Sequence, residues 1–127
     1  MLLKTNPQNP EGRKIRQVVE SLREGGVIIY PTDTVYGLGC DIEQQAAVDR
    51  ICMLRGLNPT KAMLTTICRD ISQLSEYAQQ LDSPTFKFLK KNIPGPFTFV
   101  LPASNKVPKI FKNRKRTIGV RVPDHNI

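Results

Sequence analysis

The side chains best able to do chemistry are gathered in one stretch, Tyr30-Pro31-Thr32-Asp33-Thr34-Val35-Tyr36-Gly37-Leu38-Gly39-Cys40. Two hydroxyls, a carboxylate and a phenol stand there between a proline and two glycines. The glycines allow a ligand close to the backbone, and Thr32 and Thr34 offer donors and acceptors to a small polar molecule. The stretch is neither a GxGxxG fingerprint nor a P-loop, because the third glycine and the Gly-Lys-Ser/Thr ending are missing. Taken alone, it reads slightly better as a polar turn after a strand.

Three further segments carry charge in useful places. Arg55-Gly56-Leu57-Asn58-Pro59-Thr60-Lys61 is a loop with two cations, a fork and a point charge suited to phosphate or simply to solvent. Lys106, Lys109, Lys112, Arg114, Lys115 and Arg116 lie within 11 residues, a candidate contact for a phosphate backbone or an ordinary solvated loop. Only Phe111 interleaves with them, so base stacking has little support. In Thr117-Ile118-Gly119-Val120-Arg121-Val122-Pro123, alternation sets Thr117, Gly119 and Arg121 on one face and the apolar residues on the other. An arginine anchored in a strand suits recognition of a carboxylate. His125 is the sole histidine, with no Cys or Glu at ligand spacing, so neither a zinc site nor a His-based triad is expected.

The surrounding pattern says what must position these residues. Asn9-Pro10-Glu11 looks like a helix start, Ile15, Val18, Val19 and Leu22 follow at helical spacing, and Gly25-Gly26 ends the helix. Val27–Tyr30 is a short continuous apolar run, which implies a strand covered on both faces. Gln44–Leu54 reads as a helix with Ala47, Val48, Ile51, Cys52 and Leu54 inward, and Met63–Cys68 as a strand. Asp70 caps a short helix carrying Ile71, Leu74 and Tyr77. Ser83-Pro84 opens another, with Phe88 and Leu89 buried and Lys87, Lys90 and Lys91 outside. Pro94-Gly95-Pro96 turns into strand Phe97–Leu101, and Thr117–Val122 is the final strand, the last two possible antiparallel partners. The order gives an α/β protein with flanking helices.

The chain has 127 residues, which fits one domain, and a net charge of +8 that is unevenly spread. Residues 1–82 hold nine Lys/Arg and ten Asp/Glu; residues 83–127 hold ten Lys/Arg and one acid, Asp124. Such asymmetry points to a polyanionic partner. No apolar run approaches the roughly 20 residues of a membrane span, and no secretory signal is present. Cys40, Cys52 and Cys68 lack CxxC spacing and read as reduced thiols of a cytoplasmic protein.

Together these segments resemble the YrdC/YciO family, which contains the threonylcarbamoyl-AMP synthases of tRNA modification. The matching stretches are Gly25-Gly26-Val27 through Gly39, Pro94-Gly95-Pro96-Phe97-Thr98-Phe99-Val100-Leu101, and Val120-Arg121-Val122-Pro123. The Arg-Gly-Leu loop, Ile67-Cys68-Arg69-Asp70 and Lys115-Arg116-Thr117-Ile118-Gly119 place it nearest the YciO branch. The resemblance implies a twisted sheet of mixed parallel and antiparallel strands around a basic cavity, within a single domain over residues 1–127 that lacks its C-terminal third. It implies condensation of L-threonine, bicarbonate and ATP, with Mg²⁺, into threonylcarbamoyl-AMP, without a tightly bound cofactor or a dedicated catalytic base. By matching position, Thr34 and Arg121 would hold the threonine, and Arg55, Lys61 and Thr117 would face ATP. Family members are also described as binding double-stranded RNA, a role for Lys106, Lys109, Lys112, Arg114, Lys115 and Arg116.

Two departures stand out. The Lys-x-Arg motif of the synthases is here Arg55-Gly56-Leu57, and their Ser-x-Asn segment is absent. The expectation is therefore a nucleotide- and RNA-associated protein with weak or altered synthase activity. The rival is a non-catalytic double-stranded RNA or tRNA-binding module that uses the acid-free stretch between Asp82 and Asp124. Self-association through an uncovered sheet is compatible with both.

Overall fold

A computed structural model describes residues 1–109 and 115–127. Its nine elements run α1 (Gly12–Arg23), β1 (Ile28–Tyr30), β2 (Gly37–Gly39), α2 (Gln45–Leu54), β3 (Thr65–Ile67), α3 (Ile71–Tyr77), α4 (Ser83–Asn92), β4 (Phe99–Pro102) and β5 (Thr117–Arg121). The chain forms two compact units, residues 1–56 with 125–127 and residues 57–124.

In the first unit, α1 begins at Glu11 rather than at Asn9. The Glu11 carboxylate is bonded to Lys14 and Thr5, while Asn6 Oδ1 accepts from the amides of Gln8 and Asn9. A local polar turn therefore occupies the expected cap, and the helix starts two residues later. Gly25, in the left-handed region at φ +84°, closes it. The expected cover on both faces of the next strand is not observed: among the described residues β1 pairs with β2 alone, antiparallel, and Ile29 is 74% exposed. Burial alternates along β1, with Ile28 and Tyr30 partly covered and Ile29 on the open face. Strand β2 was not expected, because two of its three residues are glycines. Helix α2 buries Ala47, Val48, Ile51 and Cys52, but not the expected Leu54, which is 58% exposed. The next position on the buried stripe is Arg55, so Leu54 turns aside.

The second unit is a three-stranded sheet, β3-β5-β4, parallel between β3 and β5 and antiparallel between β4 and β5. The alternation expected of β5 is observed: Ile118, Val120 and Val122 are buried with Cys68, Leu74, Ala78, Leu89 and Val107 in one core. Asp70 caps α3 by accepting from the Gln73 amide at 2.9 Å; Ser83-Pro84 opens α4 as expected, and Asp82 caps it by accepting from the Thr85 amide at 2.8 Å. Leu89 is buried as expected, whereas Phe88 is 59% exposed. Adjacent helical residues point about 100° apart, so only one of the two enters the sheet core. Phe88 instead meets Phe99 edge-on at 6.2 Å.

Candidate functional site

The segment singled out for chemistry is the β1–β2 hairpin. Pro31 ends β1, and six residues later the chain returns with Gly37 opposite Tyr30. Tyr30 explains both glycines. A Cβ on Gly37 would stand 2.8 Å from Tyr30 Cζ, and one on Gly39 2.7 Å from its Cε1. The ring therefore lies across the β2 backbone, where only glycine fits.

Thr32 organises the loop. Its hydroxyl donates to the Val35 carbonyl at 2.6 Å, accepts from the Thr34 amide at 3.1 Å and lies 3.2 Å from the Thr34 hydroxyl. Since Thr32 gives its one proton to Val35, it meets the Thr34 hydroxyl as an acceptor.

Arg55, also in the first unit, is exposed at the C-terminus of α2, its amide bonded to the Ile51 carbonyl. Gly56 follows in the left-handed region at φ +63°.

In the second unit, Asn58 Oδ1 accepts from the amide and hydroxyl of Thr60, at 3.0 and 2.8 Å, shaping the turn that carries the exposed Lys61. Thr117, Gly119 and Arg121 share the face of β5 opposite the core, as alternation required. The register adds neighbours that sequence reasoning missed. Thr65 pairs with Gly119 and Ile67 with Arg121 on one side, and Val100 with Gly119 on the other. The virtual Cβ of Gly119 would meet Thr98 Cγ2 at 3.4 Å and Thr65 Oγ1 at 3.5 Å. Gly119 is thus a low floor between two threonines, flanked along its strand by a hydroxyl and a guanidinium. Only strand pairing brings Thr65 and Thr98 there, so no local motif announces them.

Of the basic run, Lys106, Lys109, Lys115 and Arg116 are all exposed, and Arg116 adopts a left-handed φ of +51°. Lys112 and Arg114 lie outside the described residues. Burial pushes the Cys68 thiol up to about 11, with Asp70 and Glu76 adding to it, and burial likewise raises Cys40. Neither thiol is a nucleophile at neutral pH. Among the described residues, no cluster of three or more His, Cys, Asp or Glu is arranged to hold a metal ion, and no helix is long and apolar enough to cross a membrane.

The profile of the Sua5/YciO/YrdC family, described as "Telomere recombination", matches residues 20–127. The chain belongs to this family. It is 46% identical over 123 residues to the uncharacterised protein YciO of Escherichia coli K12, covering 96% of this chain and 59% of that relative. The crystal structure of E. coli YciO superposes with a TM-score of 0.88 over the same shares. A threonylcarbamoyl-AMP synthase of Nitrosococcus oceani is 40% identical over 112 residues, covering 88% of this chain and 60% of the synthase. The structure of P. abyssi Sua5 complexed with L-threonine matches at 32% identity and a TM-score of 0.86, across 98% of this chain and 36% of that one. The chain thus spans about three-fifths of the length of its curated relatives. The family membership and mixed α/β fold expected from the hairpin, Pro-Gly-Pro and Val-Arg-Val-Pro motifs are both observed.

Proposed function

We propose that this chain carries threonine- and nucleotide-binding elements of a threonylcarbamoyl-AMP synthase-type protein that serves the t6A modification of tRNA in the cytoplasm. The observation that carries the reading is Arg121, a strand-borne cation on the same face as Thr117, in a chain that matches an L-threonine-complexed relative over 98% of its length. Arg121 would grip the amino acid's carboxylate with its planar fork. The Thr34 hydroxyl, in the first unit, is of a kind that suits an ammonium or hydroxyl group.

ATP enters as its Mg²⁺ complex, with Arg55, Lys61 and Thr117 toward the phosphates. The threonine ammonium first releases a proton to solvent; its nitrogen then attacks the carbon of bicarbonate, hydroxide leaves with a second nitrogen proton as water, and the resulting carbamate oxygen attacks the α-phosphorus as pyrophosphate departs. The residues contribute positioning and charge neutralisation rather than a dedicated base. Leu57 stands where the synthases have their second cation, so nucleotide binding is weakened and turnover is slow.

The test is to incubate the whole gene product with L-threonine, labelled bicarbonate and Mg²⁺–ATP. Label passing into threonylcarbamoyl-AMP with equimolar pyrophosphate supports the reading; hydrolysis to AMP without label transfer contradicts it. The acid-free stretch between Asp82 and Asp124, with Lys87, Lys90, Lys91, Lys106, Lys109, Lys115 and Arg116 all exposed, favours a second reading as a non-catalytic tRNA or duplex-RNA-binding module. Affinity for duplex RNA would then fall steeply with salt and be indifferent to Thr34→Ala and Arg121→Ala.

A further inference from the structure

We infer that Thr32 is a positioning residue for Thr34, fixing the place of the hydroxyl through which that residue meets the amino-acid substrate. The inference rests on the reading of Thr34 as a threonine contact.

Three contacts converge on one oxygen. Thr32 Oγ1 donates to the Val35 carbonyl at 2.6 Å, receives the Thr34 amide at 3.1 Å and lies 3.2 Å from Thr34 Oγ1. The first two cross-tie the loop on both sides of Thr34. The third sets the two hydroxyls side by side. The loop around Thr34 is thus tied in place before a ligand arrives. Binding then avoids part of the ordering cost that an untied loop would carry. Pro31 on one side and the Tyr30–Gly37–Gly39 stack on the other anchor the loop, leaving Thr32 to set its interior. Valine at position 32 keeps the branched shape and removes all three bonds, while serine keeps the oxygen.

The experiment measures L-threonine and Mg²⁺–ATP affinities by calorimetry for the whole gene product and its T32V, T32S, T34V and T32V/T34V variants, with melting curves confirming folding. T34V is expected to weaken L-threonine roughly tenfold, and T32V to do the same by releasing the loop around Thr34. T32S should restore affinity to within about twofold, since it keeps the hydroxyl. The double variant should be no weaker than T34V, and ATP affinity should not move. If T34V weakens threonine binding and T32V does not, the positioning role is overturned while the threonine site stands. If T32V weakens threonine and ATP alike, or its effect multiplies with that of T34V, Thr32 does not act through Thr34 and the inference falls. If T34V leaves threonine affinity unchanged, the underlying site reading fails and this inference with it.

Discussion

The Tyr30 ring lies against Gly39, its diagonal neighbour across the β1–β2 hairpin: a methyl group added to the glycine would stand 2.7 Å from Tyr30 Cε1. That contact dictates how the threonine-bearing loop is presented. Gly39→Ala should therefore destabilise the protein by about 2 kcal/mol through overpacking. Shortening the ring in Tyr30→Leu/Gly39→Ala should recover part of that loss, which urea unfolding would read as a positive coupling in a double-mutant cycle. Strict additivity would mean the ring does not hold the glycine in place.

Thr66 lies on β3 opposite Val120, is 8% exposed, and its buried hydroxyl has no hydrogen-bond partner among the described residues. A buried donor without a partner carries its full desolvation cost. Thr66→Val keeps the shape and removes that cost, so it should raise stability by about 1 kcal/mol. A lower denaturation midpoint would show that the hydroxyl has a partner in solution.

Three exposed carboxylates have lowered proton affinity in the fold. The Lys14 bond, with help from Thr5, takes Glu11 from 4.5 to about 2; the Gln73 amide lowers Asp70, and the Thr85 side chain and amide lower Asp82. A carboxylate depressed on folding contributes stability that is present above its unfolded value and is lost as pH falls through the folded one. The urea midpoint should thus decline from about pH 4.5 toward pH 2. Asp82→Asn still caps a helix but does not titrate. Its midpoint at pH 6 should match the parent's, with a shallower acid decline. An unchanged slope would remove Asp82 from the account.

Leu57 follows Gly56, whose φ of +63° turns the chain outward, and its side chain is substantially exposed. A cation placed there has room to reach solvent. Leu57→Arg, which completes the family's paired cations, should tighten Mg²⁺–ATP about tenfold, with a steeper dependence on ionic strength. No gain at low salt would mean that this loop does not face the phosphates.

Much of the fold is legible in the sequence because single elements announce themselves. Ile118, Val120 and Val122 alternate through β5, Asp70 precedes an apolar helical pattern, and Gly25-Gly26 stops α1. Pairing is harder to see. Strand β2 is Gly-Leu-Gly and carries no strand propensity; it exists because Tyr30 needs a bare backbone beneath its ring. Thr65 and Thr98 reach Gly119 only through the register of β3-β5-β4, which no local spacing encodes. Phe88 and Leu54 look buried by composition but fall off the inward stripes of their helices. The elements and faces that carry the candidate residues are thus readable from types and motifs, whereas their neighbours require the sheet.

The most direct test of the central claim is calorimetric titration of L-threonine into the whole gene product, with and without Mg²⁺–ATP, beside its Arg121→Ala variant. Saturable binding of L-threonine that is tightened by nucleotide, and weakened roughly ten- to a hundredfold by loss of the guanidinium, is the expected result. No binding under either condition, or equal affinity in the variant, would contradict a threonine site built on Arg121.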